Sequence, residues 1–181
     1  MRRIIVSEFV TLDGVMETPE KWSFPFQNEE TAKFKLEELC ASDALLLGRA
    51  TYQIFARSWP SRKGELAEGM NSIAKYVVST TLDQPIWNNA HQIKATDRVI
   101  EEVLKLKGQP GQDILVLGSG LLLKALMAHG LVDEYRLMLH PIVLGSGRLL
   151  FTESSQAALE LVETRTFRTG MVLLQYQPAR T

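Results

Sequence analysis

The chain has 181 residues, 45% apolar and 23% charged, with a formal net charge of −1 at pH 7, which suits a globular domain and argues against a nucleic-acid or membrane-binding surface. No apolar run is long enough to span a bilayer and the N-terminus lacks the apolar core of a leader peptide, so one domain over residues 1–181 and a cytoplasmic location are expected. A single cysteine, Cys40, excludes an intrachain disulfide, and His91, His129 and His140 lie too far apart for a ligand motif, so no metal is expected.

Arg3 to Val10, rich in Ile, Val and Phe, predicts a first, central strand. Asp13-Gly14 marks a sharp turn within Thr11–Met16. The segment from Glu17 to Asn28 holds Pro19, Trp22, Phe24, Pro25 and Phe26. It reads either as a plug closing the core or as a lid over a flat ligand, and the lid is preferred. Asn28 is placed to cap a helix with Glu29 and Glu30 in its first turn. Its core-facing stripe is expected to be Ala32, Leu36, Leu39 and Cys40, with Phe34 off that stripe and needing another partner.

Ala44 to Leu47 predicts a buried strand that ends at Gly48, where a helix opens with Arg49 and Thr51 in its first turn. Tyr76 to Val78 predicts a third strand that delivers Ser79, Thr80 and Thr81, and Gln92 to Ala95 a further short one. Asp97 is the expected cap of a helix carrying Val99, Val103 and Leu106. Ile114 to Leu117 is a short apolar run leading into Gly118-Ser119-Gly120 and a helix that Gly130 can end. A strand–glycine–helix junction aims unpaired N–H groups and a helix dipole at one point, which suits an anion or a tight turn. Two such junctions in one small domain favour a dinucleotide.

Tyr135 to His140 alternates as a strand, with Pro141 suited to an edge, and Leu159–Phe167 with Met171–Tyr176 flank a glycine turn as a hairpin. The order predicts an α/β fold with a mixed, mainly parallel central sheet and a C-terminal antiparallel hairpin.

Six stretches occur in order: Val10-Thr11-Leu12-Asp13-Gly14, Leu47-Gly48-Arg49-x-Thr51-Tyr52, Val77 to Leu82, Leu117 to Gly120, Val132-Asp133-Glu134, and Pro141 to Phe151 with Gly145 and Gly147. Together they resemble the reductase domain at the C-terminal end of the bifunctional riboflavin-biosynthesis deaminase–reductase, as a standalone member. The resemblance implies a dihydrofolate-reductase-like three-layer α/β/α fold, NADPH as cofactor and hydride transfer as chemistry. It implies that Arg49 meets the 2′-phosphate, shared by Ser79 and Thr80, and that Gly48 and Thr51 lie at the pyrophosphate. Gly118, Ser119, Gly120, Leu121 and Leu122 are implied on the pyrophosphate and nicotinamide side, with Thr11, Asp13 and Gly14 bordering the nicotinamide.

Trp22, Phe24 and Phe34 are the substrate and lid residues expected on this reading, and Glu29, Glu30 and Asp13 the carboxylate candidates for catalysis. Glu29 and Glu30 are better explained as helix-terminus charges. The ribose-phosphate segment of the riboflavin reductases is not matched by Ile54–Pro60. The expected activity is NADPH-dependent reduction of a flat small-molecule heterocycle of pyrimidine or pteridine type. The alternative is an NADP(H)-binding protein without efficient catalysis. The apolar segments Tyr135–Leu144 and Met171–Tyr176 are expected near the interface of a twofold homodimer, unless Glu153 to Leu159 covers that face.

Overall fold

The computed structural model describes residues 1–82, 84–94, 96, 98–152 and 156–179. Eight strands form one sheet: β1 (Ile4–Thr11), β2 (Ser42–Gly48), β3 (Ala74–Ser79), β4 (Ala90–Lys94), β5 (Asp113–Val116), β6 (Glu134–His140), β7 (Leu159–Thr166) and β8 (Val172–Pro178). Their order is β4-β3-β2-β5-β1-β6-β8-β7. β1 through β6 run parallel and β8 and β7 are antiparallel additions. The mixed, mainly parallel sheet with its C-terminal hairpin therefore follows the sequence expectation.

Strand alternation builds the layers. Ile4, Val6 and Val10 of β1, Ala44 and Leu46 of β2, and Ile114 and Val116 of β5 form one core. They pack with α4 (Val99–Gly108) through Val103 and Leu106, and with α5 (Gly120–Ala128) through Leu122, Leu123 and Leu126. The interleaved Ile5, Leu45, Leu47, Leu115 and Leu117 face the other way. Their partners include Leu39 of α1 (Glu29–Cys40), Tyr52 of α2 (Arg49–Ser58) and Met70 of α3 (Glu65–Ser72). Burying one such leucine is worth about 1.5–3 kcal/mol.

Asn28 caps α1 as expected, accepting from Thr31 N at 3.0 Å while Thr31 Oγ1 accepts from Asn28 N at 2.9 Å. The buried face of α1 differs from the expected stripe. It is Thr31, Phe34, Glu38 and Leu39, whereas Ala32 and Cys40 are exposed. Phe34 packs edge-on against Phe167, 6.1 Å between ring centroids, in a third cluster with Met138, Met171 and Leu173. The hairpin supplies the partner that Phe34 needed, and the whole helix is rotated to reach it. Asp97 and Ala95 lie outside the described residues; the residue preceding α4 is Arg98, without a side-chain cap.

β6 is not an edge. It lies between β1 and β8, and β8 lies between β6 and β7. Tyr135–Leu144 and Met171–Tyr176 are thus largely covered within the chain, and the free edge is β7, where Leu161 and Val162 are exposed. Glu153, the start of the segment given as the alternative cover for that face, lies outside the described residues. At the other end of the sheet Arg2 pairs with Asp43, Lys107 with Asp133, and Arg3 bridges Asp113 at 2.6 Å and Glu134 at 3.1 Å. That end is closed by ion pairs, while the C-terminal ends of the parallel strands remain open.

Candidate active site

β5 is only four residues long, and this shortness makes the site. β1 pairs with β5 no further than Val6↔Val116, yet it stays paired with β6 as far as Thr11↔His140. From Ser7 to Phe9 the other edge of β1 opens into a cleft of about 1250 Å³ beyond the end of β5. Gly48 to Thr51, Ser79 to Thr81 and Gly118 to Leu122 all line this cleft, so both strand–glycine–helix junctions meet there. An open crevice at the carboxyl ends of parallel strands is where α/β sheets bind ligands.

The two junctions interlock. A Cβ on Gly118 would stand 2.5 Å from Thr51 Oγ1 and 3.0 Å from its Cγ2, and Gly118 has φ +70°, which L side chains rarely adopt. In the reverse direction a Cβ on Gly48 would collide with Ser119 Oγ. Each glycine leaves the space that the other junction's hydroxyl residue fills. Gly118 is therefore already required by the packing of Thr51. Ser119 has φ 72° and caps α5, accepting from Leu122 N at 3.5 Å. Leu121 is exposed and Leu122 buried, so only part of this turn faces solvent.

At the other end of the cleft the exposed Arg49 donates from Nη1 to Thr81 Oγ1 at 2.5 Å, and among the described residues it has no carboxylate partner. Ser79 is buried and its hydroxyl accepts from Thr81 N at 3.2 Å and Leu82 N at 3.0 Å. Its first task is to shape the turn that presents Thr80 and Thr81. Thr81 belongs to the same hydroxyl run and could have been chosen from the sequence with its neighbours.

Several expected site residues lie elsewhere. Thr11, Asp13 and Gly14 do not line the cleft. Thr11 Oγ1 donates to Asp13 Oδ1 at 2.6 Å and accepts from Val15 N at 2.9 Å. Asp13 also accepts from Gly145 N at 2.7 Å and Leu144 N at 3.2 Å. These bonds, the Thr11 hydroxyl foremost, hold its carboxyl below the usual range. Asp13 is a loop staple, and its lone pairs are taken. Trp22 is buried, donates from Nε1 to Glu17 O at 2.9 Å, and meets the His140 ring edge-on with Phe26 and Phe9 around it. Trp22 and Phe34 are plug residues, and of the three aromatic candidates only the exposed Phe24 lines the cleft. Glu29 and Glu30 are off the cleft. Glu30 accepts from Arg168 N at 3.2 Å and lies 3.9 Å from Arg165 Nη2, so it holds the hairpin.

Of the acids that line the cleft, Glu8 of β1 is the buried one, at 6% exposure; Glu17 and Glu20 also line it. Its Oε1 accepts from Gly118 N at 2.7 Å. Burial pushes its carboxyl up to about 8, with Glu38 adding to the effect and Gly118 N–H and Lys35 opposing it. The signal was available: Glu8 shares a face with Ile4, Val6 and Val10, where alternation calls for an apolar residue. Beside it, Ser7 Oγ donates to Glu38 Oε2 at 2.9 Å, and Lys35 Nζ reaches Glu38 Oε2 at 2.6 Å and Ser7 Oγ at 2.8 Å. Arg136 Nη1 stands 3.6 Å from the fully buried Glu38 Oε1. Phe55, Trp59 and Arg62 line the outer wall, the Arg62 guanidinium 4.6 Å above the Trp59 ring.

The sequence matches the profile of the RibD C-terminal domain over residues 2–173. It is 37% identical over 184 residues to the uncharacterized protein YyaP of Bacillus subtilis (strain 168), covering 97% of this chain and 94% of that one. A diaminohydroxyphosphoribosylaminopyrimidine deaminase/5-amino-6-(5-phosphoribosylamino)uracil reductase from Thermotoga maritima superposes with a TM-score of 0.72 at 17% identity, over 98% of this chain and 57% of that chain. Dihydrofolate reductase from Enterococcus faecalis, solved in complex with NADP(H), superposes with a TM-score of 0.66 at 16% identity, over 98% and 97%. The fold is dihydrofolate-reductase-like.

The interlock has a direct test. Gly118→Ala should destabilise by about 1–2 kcal/mol from its positive φ, plus the cost of the Thr51 collision. In a Thr51→Ala background the collision is relieved, so urea unfolding should show a coupling of about 0.5–3 kcal/mol between the two changes. Strict additivity would contradict the interlock.

Proposed function

Because the chain belongs to the RibD C-terminal domain family, we propose that it is an NADPH-dependent reductase that transfers hydride to a flat heterocycle of pyrimidine or pteridine type. The observation that carries this reading is the convergence of both strand–glycine–helix junctions on one cleft, with a guanidinium that has no carboxylate partner among the described residues at one end and a buried acid at the other. The residues present fit a dinucleotide phosphate. Arg49, without a carboxylate partner among the described residues and at the start of α2, grips a 2′-phosphate with the Thr80 and Thr81 hydroxyls beside it. The α5 N-terminus, entered through Gly118 and Gly120, faces the pyrophosphate. The open edge of β1 at Ser7–Phe9 offers backbone groups to a carboxamide. NADPH, when bound, supplies the hydride, and the chain contributes orientation and exclusion of water. Phe24, Phe55 and Trp59 line the side left for a flat ring, and Lys35 and Ser7 form its polar floor.

We also propose a homodimer through the edge strand β7, a reading supported by the exposure of Leu161 and Val162 at 55% and 49% on that edge.

Titration with both cofactors tests the assignment of Arg49. Arg49→Ala should weaken NADPH by about 1.5–3 kcal/mol and leave NADH nearly unchanged; equal weakening places Arg49 elsewhere. A panel of pterins and aminouracils with NADPH separates a reductase from a cofactor-binding protein that does not turn over. For the dimer, light scattering at micromolar concentration should give twice the 20.4 kDa chain mass, and Val162→Glu should halve it. A wild-type mass that stays near one chain at every concentration would rule the dimer out.

A further inference from the structure

A carboxyl group on the inward face of a central strand is costly unless every polar atom is used. Glu8 uses one: Oε1 accepts the Gly118 N–H, while Oε2 has no hydrogen-bond partner among the described residues. The side chain is 6% exposed and that exposure is to the cleft. The charges around it are fixed by packing. From α1 come Lys35 and Glu38, which are paired with each other at 2.6 Å, and from β6 comes Arg136, 3.6 Å from Glu38. Glu17 and Arg148, 3.3 Å apart, line the cleft from the loops, and the first turn of α5 (Gly120, Leu121, Leu122) brings no charge. Among the described residues no cation is hydrogen-bonded to Glu8, and burial raises its carboxyl to about 8, which favours the neutral form at pH 7. With Oε1 held as an acceptor, the proton sits on Oε2.

Resting on the reductase reading above, we propose that Glu8 is the catalytic acid of this site, donating from Oε2 to the ring nitrogen of a C=N bond as hydride reaches the adjoining carbon. The placement suits the task, since Glu8 lines the cleft at the open edge of β1 while bonded to the Gly118 turn, and Ser7 with Lys35 lines the same cleft from the opposite face of the strand. One C–H and one N–H bond form, while the donor C–H bond of the reduced nicotinamide, the π bond of the C=N group and the Oε2–H bond break. The heterocycle gains two electrons and the reduced nicotinamide loses two. Water returns the proton to the Glu8 carboxylate before the next turnover. The step needs an acid at the cleft, which Asp13, Glu29 and Glu30, lying off it, do not offer.

Glu8→Gln keeps the acceptor for Gly118 N–H and removes the transferable proton. With NADPH and a pterin or aminouracil that the wild type reduces, kcat/KM of the wild type should fall above pH 8. Glu8→Gln should lose 10²–10⁴-fold at pH 7, roughly the worth of general acid catalysis, and its profile should lack that break. Glu8→Asp should restore the break with part of the rate. A second readout needs no ligand. A carboxyl raised in the folded state stabilises most below its unfolded pKa, so wild type should lose melting temperature relative to Glu8→Gln as pH rises from about 4.5 to about 8. Equal kcat/KM and an unchanged profile in Glu8→Gln, with both proteins binding NADPH equally, would overturn the acid alone. Failure of the wild type to bind NADPH or reduce any heterocycle would overturn the reductase reading and this proposal with it.

Discussion

Two hydroxyl residues and two glycines set the geometry on which the rest of this molecule depends. Thr51 fills the space that a side chain on Gly118 would need, and Ser119 fills the space above Gly48. Because of that exchange, two helices can start side by side at the end of a truncated strand, each aiming its N-terminal amides into one cleft. A side chain at either glycine would collide with the other junction's hydroxyl residue and strain the contact between them. The shortness of β5 is the second half of the same constraint, since it leaves the edge of β1 unpaired where the cleft is deepest.

Around that opening the protein tolerates unusual electrostatics. Glu38, with no side-chain exposure, is surrounded by Ser7, Lys35 and Arg136, so its charge is balanced from three elements. Such a network contributes little net stability against apolar packing and chiefly fixes geometry. Here it holds α1 against β1 and keeps Lys35 committed, and Glu8 is left as an acid with no hydrogen-bonded cation among the described residues. Elsewhere a buried cation is handled differently. Lys75 has no exposure, donates to Asn71 O at 2.7 Å and Asn88 O at 2.9 Å, and lies 4.2 Å from the Trp87 ring, with burial lowering it to about 8. Lys75 is fully occupied and structural, whereas Glu8 keeps one oxygen turned to the cleft.

What was legible in the sequence was local. Continuous apolar runs gave β1, β2 and β5, Asn28 gave the start of α1, and the glycines after β2 and β5 gave both junctions, because each of these follows from a few neighbouring residues. What was missed needed a partner far along the chain. The rotation of α1 that buries Phe34 and exposes Cys40 is set by the C-terminal hairpin, more than a hundred residues away. The apolar surface of β6 looked like an interface because alternation cannot say whether a strand has a neighbour on each side; β8 supplies it. Asp13 was expected at the cofactor from the family resemblance and Trp22 in a lid from the aromatic density of its loop, and both side chains bond within their own loops. Glu8 was the opposite case, an acid in an apolar stripe whose meaning appears only when the strand end beside it is seen to be missing.

The central claim is that the two junctions and the open edge of β1 form one NADP(H) site. Amide NMR during a titration with NADPH tests it most directly. The account predicts that the amides of Thr51, Thr81, Gly118 and Gly120 shift along one binding curve together with those of Ser7 to Phe9, while those of β7 stay still. Shifts confined to one junction, or to the separate depression lined by Ala56, Asn71 and Ile86, would contradict it.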